Sequence, residues 1–288
     1  MESYSTVYLN ARRRLREAGV AAYEVESRLI VMFATGMSRE ELLNSSKKYL
    51  TDANVKKSIE KMTERRISGE PVAYIIGGWE FFGIPLIINK AVLIPRIDTE
   101  VLAEEAVRHL QSVRGRPRLL DICAGSGCVG LAVAANVPEC RVVLAEFSES
   151  ALAVCRMNML KNHLSGRTIA VKADALAQPS ERLGKFDMIV CNPPYIPTSD
   201  IAELDVSVRG FEPVIALDGG ADGLNFFRAV TENWSKALKD NGMLAFECGA
   251  GQAEDVRSIM SGYGYSDIRV LTDTLGIERV VVGCMSRA

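Results

Sequence analysis

The chain has 288 residues, 48% hydrophobic and 24% charged, with a formal net charge of -2; that length predicts one large domain plus a smaller one. No run approaches the roughly 18 apolar residues of a membrane span, the start from Met1 to Ser5 lacks a basic region leading into an apolar core, and the mildly acidic balance disfavours nucleic acid as the direct substrate, so a cytoplasmic protein with no membrane partner is expected. Seven cysteines without a Cys-x-x-Cys pair, and two histidines (His109 and His163) away from zinc-like spacing, predict neither a disulfide framework nor a metal site.

From Ser3 to about Gly69 the apolar pattern is helical. Val25, Leu29, Met32 and Phe33 are predicted on one helix face, and Val55, Ile59 and Met62 on another behind a cap at Thr51 or Asp52. The basic clusters Arg12-Arg13-Arg14, Lys56-Lys57 and Arg65-Arg66 read as solvated helix faces. Residues 1–70 are therefore expected to form a small helical domain.

Between Pro71 and Pro95 the texture changes to short β-rich runs, Ala73 to Ile76 and Pro85 to Ile88, broken by Gly77-Gly78 and Gly83. A hairpin linker over 71–95 fits. Asp98 and Thr99 carry N-cap chemistry for a helix with Leu102, Ala106 and Leu110 on one face.

From 96 to 288 strand-like runs alternate with helical ones: Leu119 to Cys123, Val142 to Ala145, Ile169 to Val171, Met188 to Cys191 and Met243 to Phe246. That alternation predicts a parallel sheet with helices on both faces. The last two runs, Asp267 to Leu271 and Arg279 to Val282, are separated by too few residues for a parallel crossover and should pair antiparallel. The expected fold is α/β, a Rossmann-like sheet of the class I methyltransferase kind ending in an antiparallel strand pair, plus the small N-terminal helical domain.

After the first of these strands, Cys123-Ala124-Gly125-Ser126-Gly127 leads through Gly130 into a helix. Glycines there let backbone approach a ligand, but the spacing alone would also suit a dinucleotide dehydrogenase. Asp121 tilts the reading toward S-adenosylmethionine, because a carboxylate suits a cationic amino-acid moiety and repels a pyrophosphate. Glu146, ending the second strand, can accept hydrogen bonds from both ribose hydroxyls. Asp174 and Ala175, after the third strand, are placed to orient and line the adenine.

Asn192-Pro193-Pro194-Tyr195 follows the fourth strand, and in open α/β sheets ligands bind at the strands' carboxyl ends. The tetrapeptide should therefore face the same crevice as the glycine loop. An amide or exocyclic nitrogen is a poor nucleophile because its lone pair is delocalised. Acceptors at Asn192 Oδ1 and the Pro193 carbonyl would aim its NH2 and stabilise charge developing on it. Pro194 stiffens this substrate-binding turn, and Tyr195 could stack on the planar group. Asn192, at the meeting of substrate and cofactor, belongs to both sites.

The sequence resembles the HemK/PrmC family of release-factor glutamine methyltransferases over nearly its full length. The resemblance is carried by Pro71 to Gly77, Phe81-Phe82-Gly83, Leu93 to Glu100, the glycine loop, Asn192 to Tyr195, Phe211-Glu212-Pro213 and Ala216 to Gly220 before Asp222-Gly223-Leu224. It implies methyl transfer from S-adenosylmethionine to N5 of the glutamine in the Gly-Gly-Gln loop of peptide chain release factors, with the N-terminal helices helping to dock the substrate. It also places Glu247 to Gln252 in the turn after the fifth strand, in a structural role. Three positions depart from the family pattern: Cys123-Ala124 replaces Gly-Thr, Ile97 replaces proline, and Glu146 stands where aspartate is commoner. None removes a required chemical group. The competing readings are an amino-methyltransferase of adenine N6 or another planar nitrogen, and a noncatalytic S-adenosylmethionine-binding adaptor.

Overall fold

A computed structural model describes residues 2–285; Met1 and residues 286–288, which the expected domains 1–70 and 96–288 include, lie outside the described residues. The chain groups into two compact units, residues 1–78 with 205–211, and residues 79–204 with 212–288. The first unit runs eight residues past the expected boundary at 70 and takes back a segment from late in the chain.

The first unit opens with β1 (Glu2–Ser3), α1 (Tyr4–Glu17), α2 (Tyr23–Thr35), α3 (Arg39–Asn44), β2 (Tyr49–Leu50) and α4 (Ala53–Ile67), and β1 pairs antiparallel with β2. As expected, Asp52 caps α4, its carboxylate accepting from the backbone N–H groups of Asn54 and Val55, with Ile59 and Met62 buried. The face expected for α2 is not the one buried. Ser27, Ile30 and Val31 point inward, while Val25 and Phe33 lie exposed. A helix with apolar residues around much of its girth leaves the choice of face to its neighbours.

The β run expected at 73–76 is a helix, α5 (Val72–Ile76). Pro71 at its N-cap and Gly77 in the left-handed region at its C-cap (φ 71°) bracket one turn, and Val72 through Ile75 are buried. Here burial and end-capping override the β-propensity of Val and Ile.

The hairpin is β3 (Gly78–Phe81) with β4 (Ile84–Ile87). A short 3-10 turn over Ile97–Thr99 leads into α6 (Glu100–Ser112), which buries Leu102, Ala106 and Leu110 as its spacing predicts. Neither Asp98 nor Thr99 serves as the expected cap: Thr99 makes no side-chain cap bond, and Asp98 pairs with Arg279 at 3.0 Å. Then come β5 (Arg118–Ile122), α7 (Cys128–Asn136), β6 (Arg141–Glu146), α8 (Glu149–Lys161), β7 (Thr168–Lys172) and β8 (Phe186–Cys191). After the excursion α9 (Val206–Arg209) in the first unit, the chain adds α10 (Asn225–Trp234), β9 (Leu238–Glu247), α11 (Ala253–Gly262), β10 (Tyr265–Thr272) and β11 (Glu278–Met285).

The seven-stranded sheet has the order β10-β11-β9-β8-β5-β6-β7. β5 to β9 pair in parallel, while β11 runs antiparallel to β9 and β10 antiparallel to β11. Strands buried on both faces need continuous apolar runs, and Leu119, Leu120, Met188, Ile189, Val190, Leu244 and Phe246 are all fully buried. The chain steps outward from β5 to β7 and then returns to β8 on the other side of β5. That reversal opens a crevice at the carboxyl ends of β5 and β8, the position where open α/β sheets take ligands.

All seven cysteines are free thiols. Among the described residues no cluster of His, Cys, Asp or Glu is arranged to hold a metal ion, and no helix is long and apolar enough to cross a membrane.

Candidate active site

The parallel register pairs Ile122 of β5 with Cys191 of β8, so the glycine loop and the Asn-Pro-Pro-Tyr segment leave the sheet side by side. Both border a cavity of about 270 Å³, near the lower end of small-molecule sites, which run from about 300 Å³ upward. Its walls include Asp121, Cys123, Ala124, Gly125, Ser126, Glu146, Asp174, Ala175, Asn192 and Pro194 from the expected set. Gly127, Pro193 and Tyr195 are not among the lining residues.

The loop is tied to the strands beside it. Glu146 bridges two backbone amides, Oε2 accepting from Gly125 and Oε1 from Ser148, each at 2.8 Å. Cys123 has φ 58°, Gly125 φ 55° and Gly127 φ 80°, so the turn needs three left-handed residues and places a thiol where glycine is the usual choice. Gly127 starts α7 without touching the cavity.

Asp121 is 3% exposed, and its Oδ2 accepts from the Gly130 N–H at 2.9 Å. Burial raises its carboxyl to about 7, with the Gly130 bond opposing the rise and the Glu146 charge adding to it. Inside α7, a Cβ on Gly130 would fall 2.3 Å from Leu144 Cδ2 and 3.0 Å from Asp121 Oδ2. Gly130→Ala should gain about 1 kcal/mol of helix propensity, but overpacking costs about 1–3 kcal/mol. The expected result is a lower Tm by thermal unfolding; an unchanged or higher Tm would show that Leu144 yields freely.

On the β8 side, the backbone of the tetrapeptide is clamped. Gln252 reaches across from the turn after β9, donating to the Tyr195 carbonyl at 2.9 Å while accepting from the Gly249 N–H at 2.9 Å. Ile196 exchanges backbone bonds with Leu217 and Gly219. Gly223, at φ 75°, must be glycine because a Cβ there would fall 2.4 Å from the Tyr195 carbonyl oxygen. The Leu217-Asp218-Gly219-Gly220 and Asp222-Gly223 motifs thus act as a bed for this loop. The Tyr195 ring lies over Gly249 against the core, and burial pushes its hydroxyl upward. That packing anchors the turn and leaves the ring partly exposed.

Asn192 lines the cavity, and its NH2 donates to Thr99 Oγ1, another lining side chain, at 3.3 Å. Sequence reasoning missed several walls: Arg96 and Thr99 before α6, Phe147 and Leu176 beside the expected ribose and adenine positions, Phe226, and Pro213 to Ala216. Phe147 and Leu176 directly follow Glu146 and Ala175, and adjacency to the predicted residues could have flagged them. Arg96 is bonded to Glu212 at 2.6 Å, which explains Phe211-Glu212-Pro213 as the partner of the Pro95-Arg96 segment. Burial raises the Glu212 carboxyl and Arg96 opposes that rise. The charged lining is therefore three carboxylates, Asp121, Glu146 and Asp174, and one guanidinium already engaged.

The PrmC N-terminal domain family matches residues 7–77, and the methyltransferase small domain family matches residues 98–207. A release factor glutamine methyltransferase of Geobacter sulfurreducens is 38% identical over 274 residues, covering 94% of this chain and 93% of that protein. One from Agrobacterium fabrum is 35% identical over 280 residues, covering 96% of each. Among solved structures, a methyltransferase from Pyrococcus furiosus aligns with a TM-score of 0.53 at 17% identity over 79% of this chain and 100% of that one. That likeness is one of fold.

Proposed function

The chain belongs to the release factor glutamine methyltransferase family, and on that premise we propose that it transfers a methyl group from S-adenosylmethionine to the side-chain amide nitrogen of the glutamine in the Gly-Gly-Gln loop of peptide chain release factors. The observation that carries the reading is the meeting of Asn192-Pro193-Pro194-Tyr195 with the acidic glycine loop at one cavity. The helical first unit is read as the module that docks the release factor.

The donor set fits the cofactor. Three carboxylates against one engaged guanidinium suit a ligand with a positive amino-acid end, and Phe147, Ala175 and Leu176 suit a flat ring. When bound, S-adenosylmethionine supplies an electrophilic methyl group on a sulfonium. Asp121 would hold the cationic end, Glu146 the ribose hydroxyls, and Asp174 with Ala175 the adenine, over backbone from Cys123 to Gly127.

The chain's own task is to make a weak nucleophile react. Asn192 Oδ1 and the Pro193 carbonyl would each accept one N–H of the glutamine amide, turning the nitrogen toward the methyl. As the N–C bond forms and the sulfonium's S–C bond breaks, positive charge grows on nitrogen. The same two acceptors stabilise that charge, and one N–H proton then leaves to water.

Because Asp121 is held near 7 by burial, a cation binding beside it favours the ionised form. Below pH 7 a proton must leave on binding, so affinity falls as pH drops; above 7 it levels off. S-adenosylmethionine titrations from pH 6 to 8 should therefore show tighter binding with rising pH, and Asp121→Asn should flatten the dependence. A wild-type profile with no slope in this window would remove Asp121 from contact with the cationic end.

The function itself is tested by incubating the protein with labelled S-adenosylmethionine and either intact release factor or DNA, then locating the methyl by mass spectrometry. The label is expected on the Gly-Gly-Gln glutamine. Label confined to DNA would overturn the proposal in favour of a nucleobase amino-methyltransferase.

A further inference from the structure

The end of β9 holds a carboxylate that the reaction as described does not use. Register pairs Cys191 of β8 with Phe246 of β9, which brings the next residues, Asn192 and Glu247, side by side. Glu247 is 2% exposed, does not line the cavity, and leaves its Oε2 without a hydrogen-bond partner. A buried carboxylate with an unpartnered oxygen is costly, whereas its strand neighbours Leu244, Ala245 and Phe246 are apolar and fully buried. Packing alone gives no reason for an acid here.

Its surroundings supply one. The side chains of Thr99, 1% exposed, and Asn192 are neighbouring donors that favour the ionised form of Glu247, and Asn192 Nδ2 donates to Thr99 Oγ1 at 3.3 Å. Arg279, the guanidinium whose charge acts on Glu247, is bonded to Asp98 and Asp273, each at 3.0 Å, so Glu247 is not simply its ion-pair partner. An ionised carboxylate can only accept. Because Thr99 Oγ1 already accepts from Asn192 Nδ2, its hydroxyl proton is the one left for Glu247. Asn192 Oδ1 is then the end left to accept from a substrate.

Resting on the glutamine-methylation reading above, we infer that Glu247, acting directly and through Thr99, is the positioning residue that fixes which end of the Asn192 amide faces the substrate. A flipped Asn192 would present donors to a substrate NH2 that itself needs acceptors, and the reacting nitrogen would be repelled.

The direction of the bonds reverses if Glu247 is protonated, because its O–H can donate to Thr99 and Thr99 can donate to Asn192 Oδ1. Burial raises the Glu247 carboxyl to about 7; Thr99, Asn192 and the Arg279 charge lower it, and Asp98 raises it further. Tyr195, Cys128 and Cys248 are the other titratable groups within its field, and burial pushes all three above the working range. The ionised, correctly oriented state is therefore filled as pH rises through about 7 and lost as pH falls.

The test uses the full chain with release factor and saturating S-adenosylmethionine. Glu247→Ala should lower single-turnover methyl transfer about 10- to 100-fold, the scale of a misoriented reacting group, with KM for release factor and Kd for the cofactor within about twofold of wild type. Glu247→Gln, which keeps the shape and one acceptor, should recover part of the rate. Its rate should also be flat with pH where wild type rises through about 7. A second readout needs no turnover: the side-chain NH2 of Asn192, followed by NMR in protein labelled with 15N-asparagine, should exchange slowly in wild type and faster in both Glu247 variants. Wild-type turnover in Glu247→Ala, or a wild-type pH step retained by Glu247→Gln, overturns the inference. An inactive wild type that nonetheless shows Glu247-dependent protection of Asn192 would sink the glutamine reading and leave the positioning role standing.

Discussion

Asn192→Ala should abolish most methyl transfer while leaving S-adenosylmethionine binding close to normal. The substitution removes the one cavity-facing side-chain acceptor of the tetrapeptide and leaves the Glu146 bridge to Gly125 and the Asp121 bond to Gly130 in place. Loss of a preorganised group at a reacting centre lowers turnover about 10²- to 10³-fold, and a nitrogen free to rotate would enlarge that loss. Asn192→Asp still accepts the substrate N–H and should retain more activity than alanine. Its charge would lie beside Glu247, however, and two close carboxylates disfavour joint ionisation. Single-turnover transfer to release factor and equilibrium cofactor binding, measured on the same preparations, decide the matter. Near-normal transfer by Asn192→Ala defeats the mechanism, and equal losses in both measurements would reassign Asn192 to the cofactor.

Glu146→Ala should have the complementary signature, a binding defect with the chemical step preserved at saturation. Its two oxygens hold the amides of Gly125 and Ser148, so the change both removes the expected ribose acceptor and releases the glycine loop. Hydrogen bonds to a charged acceptor contribute about 1.5–3 kcal/mol, which corresponds to a Kd for S-adenosylmethionine raised roughly 10- to 150-fold. Calorimetric titration reads this directly. An unchanged Kd would mean that Glu146 serves only the loop's backbone, and a collapse in the rate at saturating cofactor would place it in the chemistry instead.

Much of this site was legible because its chemistry is local in sequence. The strand, glycine turn and helix around Asp121 to Gly130 read as one unit, and a tetrapeptide with two prolines after an apolar strand marks a fixed turn at a sheet's carboxyl edge. The two ligand segments were expected to share a crevice, and both border one cavity. Readings that depended on which surface a residue meets fared worse. The α2 face differs from the expected one because Val25 and Phe33 are as apolar as the buried Ile30 and Val31, and the buried face also takes in the polar Ser27. The turn at Val72–Ile76 was read as a strand because four apolar residues fit either element until their ends are capped. The contact of the Tyr195 ring with Gly249, a residue 54 positions away that only the sheet brings near, has no signal in the sequence.

What the sequence determined by itself is the alternation of strands and helices over 96–288, the antiparallel closing pair, and which segments border the cavity. These follow from periodicity, loop length and the functional groups of single residues, all of which are properties of short stretches of chain. What only the tertiary structure decided is how those groups are aimed. Gln252 holds the tetrapeptide's backbone from 57 residues away, Arg96 is bonded to Glu212 across 116, and the direction of the Asn192 amide depends on Thr99 and Glu247 from two other parts of the chain. The physical reason is that the amide carries a donor and an acceptor of nearly the same size and shape. Which one faces the substrate is set by the protons of its buried neighbours, and those neighbours are chosen by the register of β8 against β9.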